Sequence, residues 1–416
     1  MKKSLLAVAA IGAFASAAQA QSSVTVYGII DGGFSSTSTR LGSTKTTNAG
    51  FIQGGNGNET SSRLGFRGTE DLGGGTSAFF TAEMELNMNS NASTTLASTA
   101  NSSVLNGNRQ AFVGLAKKGI GKAAVGTQYT VMHDAVAGTD PGESNNVVGS
   151  VLRPVGLPAA VLGNTSAGAN HMVRTNNMFK VNSDKFAGFG VNAAYIQSNA
   201  DSNQTATGTA TVGGTGGTAN FNGWNLGADY TWKKLFVTAA FGSVKQEQNA
   251  LAGTVAAGGT VTAGTSSVGT TTLTTPSTIT AGTNPNTTTN NAYVGGVYDF
   301  GILKAYAGWS NAKISSGYDS NLYVKRSAQQ VGVRGMFTPT IEGWASVGNG
   351  RFTNWGTGTP TTNFSAWQLG SNYLLSKRTN LYAIYGQTVS AVSPSTGLTP
   401  SGSAASQYAM GVRHTF

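Results

Sequence analysis

Residues 62–88 read SRLGFRGTEDLGGGTSAFFTAEMELNM, which two strands and a tight turn account for. In the first strand Leu64, Phe66 and Gly68 share one face, and Arg63, Gly65, Arg67 and Thr69 share the other. In the second, Ala78, Phe80, Ala82, Met84 and Leu86 alternate with Phe79, Thr81, Glu83, Glu85 and Asn87. Side chains on a strand point to opposite faces with period two, so each strand is apolar on one side and mostly charged or polar on the other. The glycines at 73–75 supply the positive φ that such a reversal requires. A half-buried hairpin of a soluble β-sandwich has the same pattern. The rest of the chain has to separate the two.

The amino terminus has the layout of a secretory signal: Lys2 and Lys3, an apolar run over residues 5–18, then Ala18-Gln19-Ala20. Cleavage there leaves residues 21–416 as the mature chain. The apolar run is too short for a membrane helix, which needs roughly 20 residues. Glycine, threonine and asparagine interrupt every later apolar run, so a membrane reading requires strands. Charged residues make up 10% of the chain, with 58 glycines, and the mean hydropathy is −0.11. A transmembrane barrel needs only every second residue apolar, so it has the hydropathy of a soluble protein. The absence of cysteine excludes a disulfide scaffold in an exported chain. Without Lys2 and Lys3 there are 24 basic and 16 acidic residues, a formal charge of +8. In an exported β-protein that balance suits attraction of small anions rather than nucleic acid.

After the signal, residues 24–31 read as a strand and 35–60 as a long polar loop. Strands follow in pairs: 62–69 with 76–88, 109–115 with 123–130, 171–181 with 190–198, and 222–232 with 235–245. Beyond a low-complexity stretch at 246–290 come 291–298 with 303–314, 328–337 with 341–351, 365–375 with 380–389, and finally 406–416. Long polar loops fall at 89–108, 131–169 and 200–220. The count is about sixteen, with short turns and long loops strictly alternating. Single-chain bacterial barrels put short turns at the periplasmic end and long loops outside, whereas a sandwich has no reason to sort its connections. The expected fold is therefore all-β: one 16-stranded antiparallel transmembrane β-barrel. In the last strand Tyr408, Met410, Val412, His414 and Phe416 form the outer face, apolar with aromatic ends, as a lipid-facing strand requires.

Other chemistries find little support. The histidines are His133, His171 and His414; His133, Asp134 and Ser144 lie close in sequence, but no Gly-x-Ser-x-Gly turn is present. No nucleophile, base and orienter set emerges, and no catalytic residue is assigned. Asp134, Asp140 and Glu143 are oxygen donors of the kind calcium takes, but acids of a polar loop ordinarily meet water, and no metal or cofactor is expected. Residues 119–122 fail as a phosphate loop, because Ala116 and Ala123 replace the first glycine and the hydroxyl residue. An adhesin or solenoid would repeat with a fixed period, which is missing outside 246–290.

The stretches SSVTVYG (22–28), SRLGFRGTEDLGGG (62–75), RQAFVGL (109–115), LSKRTNLY (375–382) and GVRHTF (411–416) are similar to those of the trimeric general porins of β-proteobacteria, the Neisseria and Burkholderia type. The resemblance covers the whole mature chain apart from the loops. It implies a sixteen-stranded outer-membrane barrel, a homotrimer, and a water-filled pore in each subunit for small hydrophilic solutes and ions. It also implies outer-membrane lipid and lipopolysaccharide as surroundings, and insertion by the barrel-assembly machinery through the strand ending at Phe416. In such porins the third long loop folds inward and faces wall arginines. Carried onto this chain, the arginines are Arg63, Arg67, Arg109 and Arg174, the loop acids are Asp134, Asp140 and Glu143, and Glu83 shares the wall. Many relatives have Gly-Arg-Gln-Tyr where this chain has Gly126-Thr127-Gln128-Tyr129, one basic side chain fewer. Screening decays over about 8 Å at physiological salt, so charges on the wall of a comparably narrow constriction set the potential an ion crosses. A mild anion preference is expected.

Overall fold

The computed structural model describes residues 23–53, 57–87, 105–152, 173–205, 215–249, 287–316, 323–354, 361–392 and 402–416. The expected signal at 1–20 and residues 250–286 of the low-complexity stretch lie outside them.

The first strands are β1 (Ser23–Leu41), β2 (Thr44–Gln53), β3 (Arg63–Gly73), β4 (Thr76–Leu86), β5 (Leu105–Lys117) and β6 (Gly121–Tyr129). The helix α1 (Val131–Ala137) follows, then β7 (Arg174–Ser183), β8 (Phe189–Thr205), β9 (Thr215–Trp232), β10 (Leu235–Asn249) and β11 (Thr287–Asp299). The chain ends with β12 (Lys304–Ser316), β13 (Tyr323–Thr338), β14 (Ile341–Asn354), β15 (Thr362–Leu374), β16 (Thr379–Val392) and β17 (Gly402–Thr415). Every strand pairs antiparallel with its neighbours, and β17 returns to β1 from Ile29↔Thr415 to Leu41↔Ser403. Gly28 and Phe416 exchange both backbone hydrogen bonds at 3.1 Å, which closes the seam.

Seventeen strands make sixteen barrel positions. Strand β1 pairs with β2 over Gly32–Leu41 and with β3 over Ser23–Ile29, so β2 and β3 occupy one position in tandem. This corrects the reading of residues 35–60 as a loop. The missed strands alternate serine and threonine with serine and threonine, and a period is invisible where both faces are polar. The two residues between β1 and β2 also place one short connection at the long-loop end, so the alternation of turns and loops is not strict. The connections at the opposite end run from two to five residues.

Outward side chains are exposed and apolar: Val113 at 62%, Val125 at 56% and Met410 at 52%. Among the described residues no helix is long and apolar enough to cross a membrane.

The inward faces are not uniformly polar, and an apolar patch on them receives the helix. Thr130 caps α1, its Oγ1 accepting from His133 N at 3.1 Å, a contact typically worth about 1 kcal/mol. The apolar stripe of α1, Val131, Met132, Ala135 and Val136, packs on Met178, Ile196, Ala240, Val244 and Tyr293 inside the barrel. Residues 138–152 then continue across the inner wall, and wall glycines make space for them. A Cβ at Gly386 would lie 1.7 Å from Val148 O, and one at Gly348 would lie 2.4 Å from Val151 Cγ2. Backbone cannot yield as a side-chain tip can. Gly386→Ala is therefore expected to drive the segment off its seat and into the lumen, lowering both single-channel conductance and the temperature at which the barrel loses its compact gel migration. If neither changes, the segment does not depend on that seat.

Candidate functional site

Residues 130–152 form the inward-folded third loop, and polar wall side chains fix it at successive points. Thr139 Oγ1 meets Tyr293 Oη at 2.6 Å. Gln330 Nε2 donates to Asp140 Oδ1 at 2.8 Å, and its Oε1 accepts from Val151 N at 2.9 Å. Gln368 donates to the carbonyls of Val147 and Val148, each at 3.1 Å, and Gln407 Oε1 accepts from Val148 N at 3.0 Å. The loop thus lines the inner wall from Met178 of β7 round to β17. The wall of β3 to β6 and the start of β7 carries none of these contacts.

A second segment, between β2 and β3, also folds inward. Asp31 accepts from Thr60 N at 2.7 Å and Tyr382 Oη at 2.7 Å, while Glu59 accepts from Asn372 at 2.7 Å and Asn380 at 3.0 Å. Arg413 adds an ion pair to Glu59 at 3.4 Å. The same segment grips the third loop: Asn146 N donates to Asn58 O at 3.0 Å, and Gly57 N donates to Asn146 O at 3.1 Å. Sequence reasoning missed this latch, because Asn, Glu and Ser in a polar stretch are also the residues of an ordinary loop.

On the open wall, Arg109 and Glu83 form an ion pair at 2.8 Å with both side chains almost fully buried. Arg109 also donates to Tyr129 Oη at 3.0 Å, and Glu83 accepts from Tyr27 Oη at 3.1 Å. A β-bulge makes this possible. The register slips where Glu83 faces Gln110 and Met84 faces Asn108, leaving Arg109 as the extra residue. Without the slip, Arg109 would share the phase of Val113 and Leu115 and point to lipid. Arg63 donates to Ser61 O at 3.0 Å and Thr60 Oγ1 at 2.7 Å. Arg67 lies 5.3 Å over the Tyr27 ring, and Arg174 lies 5.7 Å over the Tyr129 ring. Arg63 and Arg174 are both within electrostatic reach of Arg109.

The structure brings the four arginines and Glu83 to one wall and sends the loop acids elsewhere. Asp134, itself an exposed side chain, pairs with Lys180 of β7. Asp140 is buried and accepts from Gln330 and from Ser144 N at 2.8 Å. Glu143 pairs at 3.3 Å with Arg334, which is also held by Glu342 at 2.6 Å. His133 stacks on Tyr129 with ring centroids 4.3 Å apart. Thr127 lies opposite Ala111 in the register. Lys180, Arg326 and Arg334 were absent from the expected site. Their inward phase is legible from exposed neighbours such as Phe179 and Val333, but their partners are not.

A closed antiparallel barrel, crossed inside by its own loop and lined on the open side by arginines, defines a diffusion channel of the outer membrane. The family profile of the Gram-negative porins matches residues 7–390, and the chain belongs to that family. It is a passive, water-filled outer-membrane channel. An outer membrane porin protein of Bordetella pertussis is 29% identical over 426 residues, covering 93% of this chain and 94% of the relative. Among solved structures, an anion-selective porin from Comamonas acidovorans matches at TM-score 0.64 and 19% identity, covering 95% of this chain and 100% of that one. In-vitro folded OmpT of Vibrio cholerae in its trimer form matches at TM-score 0.57 and 17% identity, covering 95% and 99%. Both structural likenesses concern the fold.

Proposed function

We propose that the pore passes small hydrophilic solutes and ions with a mild preference for anions, set by Arg63, Arg67 and Arg174. The supporting observation is how the acids are distributed. Glu83 is matched by Arg109, Asp134 by Lys180, and Glu143 shares Arg334 with Glu342, while Asp140 is buried behind the loop. Among the described residues, Arg63, Arg67 and Arg174 form no ion pair; Glu83 and Glu85 lie within electrostatic reach of Arg109 and Arg174, and Glu83 also of Arg63. Guanidinium groups without an ion-pair partner on that wall then favour an anion in the lumen, while the exposed Asp134 and Glu143 carboxylates are each held by a cation. The anion-selective Comamonas porin shares this fold. Purified protein in planar bilayers is expected to give stepwise conductance, with a zero-current potential across a potassium chloride gradient of the sign for chloride. A potassium-selective potential would overturn the reading.

The reading extends to processing and assembly. Cleavage after Ala20 leaves residues 21–416 as one barrel, inserted by the barrel-assembly machinery through the strand ending at Phe416 and surrounded by outer-membrane lipid and lipopolysaccharide. No enzymatic activity is assigned to it. A homotrimer is supported by the outer surface. Aromatic side chains collect where a barrel meets the membrane–water interface, yet β3 to β6 carry only Phe80 among the described exposed aromatics, against Trp224, Trp232, Phe241, Trp309, Tyr373 and others from β7 onward. Subunit contact rather than lipid explains such a gap, and OmpT is a trimer in the form cited above. A monomeric mass in mild detergent would contradict it.

A further inference from the structure

Facing α1, strands β11 to β13 enclose a small hole. Asn291, Ala312 and Arg326 stand in one row across them, and Tyr293, Ser310 and Ala328 stand in the next. Short side chains at Ala312 and Ser310 lie between longer ones, and Met132, Val136 and Leu152 of the third loop close the top. The cavity measures about 20 Å³, enough for a single water or an ion of similar size.

Three of its lining residues carry a buried polar atom without a hydrogen-bond partner: Arg326 Nε, Asn291 Oδ1 and Ser310 Oγ. Arg326 is 7% exposed. One of its Nη atoms donates to Val151 O, and the guanidinium lies 4.9 Å over Phe364 and 5.8 Å over Phe352. No carboxylate among the described residues pairs with it. Guanidinium keeps its charge when crowded, and an enclosed charge without a counter-charge is costly. The aromatic faces offset only part of that cost. Water would accept from Nε and still leave the charge unbalanced.

We propose that this cavity binds a small monovalent anion, chloride in ordinary salt, held by Arg326 Nε and Ser310 Oγ. Asn291 completes the site with its amide N–H, since a half-turn of the amide exchanges its oxygen and nitrogen ends. The ion lies behind the third loop, outside the conduction path. It ties β13 to the loop beside Val151. This site is separate from lumen selectivity and stands whether the pore prefers anions or cations.

Crystals of the full barrel equilibrated with bromide test the assignment by anomalous diffraction. The expected result is a bromide peak within hydrogen-bonding reach of Arg326 Nε and Ser310 Oγ. It should vanish in Arg326→Met and in Ala312→Val, the second of which fills the hole while keeping the charge. A site without anomalous signal, or a peak that survives Arg326→Met, would overturn the proposal. Thermal unfolding gives a second readout, because a ligand that binds only the folded state raises its stability. The wild-type midpoint should be higher in potassium chloride than in potassium gluconate at equal ionic strength, and the difference should disappear in Arg326→Met. Equal wild-type midpoints in the two salts would also refute it.

Discussion

Replacing Arg63 and Arg174 together by glutamate should reverse the sign of the zero-current potential. Each substitution changes the local charge by two units on the wall that the third loop leaves open. A unit charge 5 Å from a passing ion contributes about 0.8 kcal/mol even at the dielectric of water. The four-unit change, reduced by screening and distance, is expected to shift the chloride-to-potassium permeability ratio on the order of tenfold. Arg67→Ala, nearer the periplasmic end, should move the potential in the same direction by less. Raising the salt should shrink every one of these shifts, because lumen charges are screened. A double variant that keeps the wild-type potential would show that these arginines do not set selectivity.

The largest effect on stability is expected at Arg109. Its side chain and that of Glu83 are 7% and 3% exposed, so the pair has no water to fall back on. Removing one partner of a buried pair leaves an uncompensated charge and typically costs about 3–5 kcal/mol. Arg109→Ala should therefore lower the temperature at which the barrel loses its compact gel migration, and Glu83→Gln should do so by a similar amount. Combining Arg109→Met with Glu83→Gln should recover much of the loss, since neither charge is then stranded. Arg67→Ala serves as the control, because its side chain is exposed and forms no ion pair. If Arg109→Ala melts like wild type, the buried pair contributes nothing to the barrel.

The sequence carried the architecture because a barrel wall is written with the simplest period there is. Leu64 against Arg63, Ala82 against Glu83 and Met410 against Arg413 assign faces residue by residue, and short turns at one end orient the whole. Where both faces are polar the period is lost, which is why the outer half of β1 and all of β2 read as loop. The count of sixteen still held, because β2 shares its barrel position with β3. The inward third loop and the wall arginines came from likeness to a known family. No periodicity in residues 130–152 says where that segment lies.

Tertiary structure alone decided which charges remain for the lumen. Alternation would have sent Arg109 to the lipid, and only the bulge opposite Glu83 turns it inward. Asp134, Asp140 and Glu143 looked equivalent in the chain, yet the wall gives one to Lys180, buries one beneath Gln330 and shares one with Arg334. Local sequence determines the face on which a side chain emerges, because that depends on the backbone of its own strand. Its partner lies up to hundreds of residues away, as Asp31 and Tyr382 do, and only the closure of the sheet brings the two within reach.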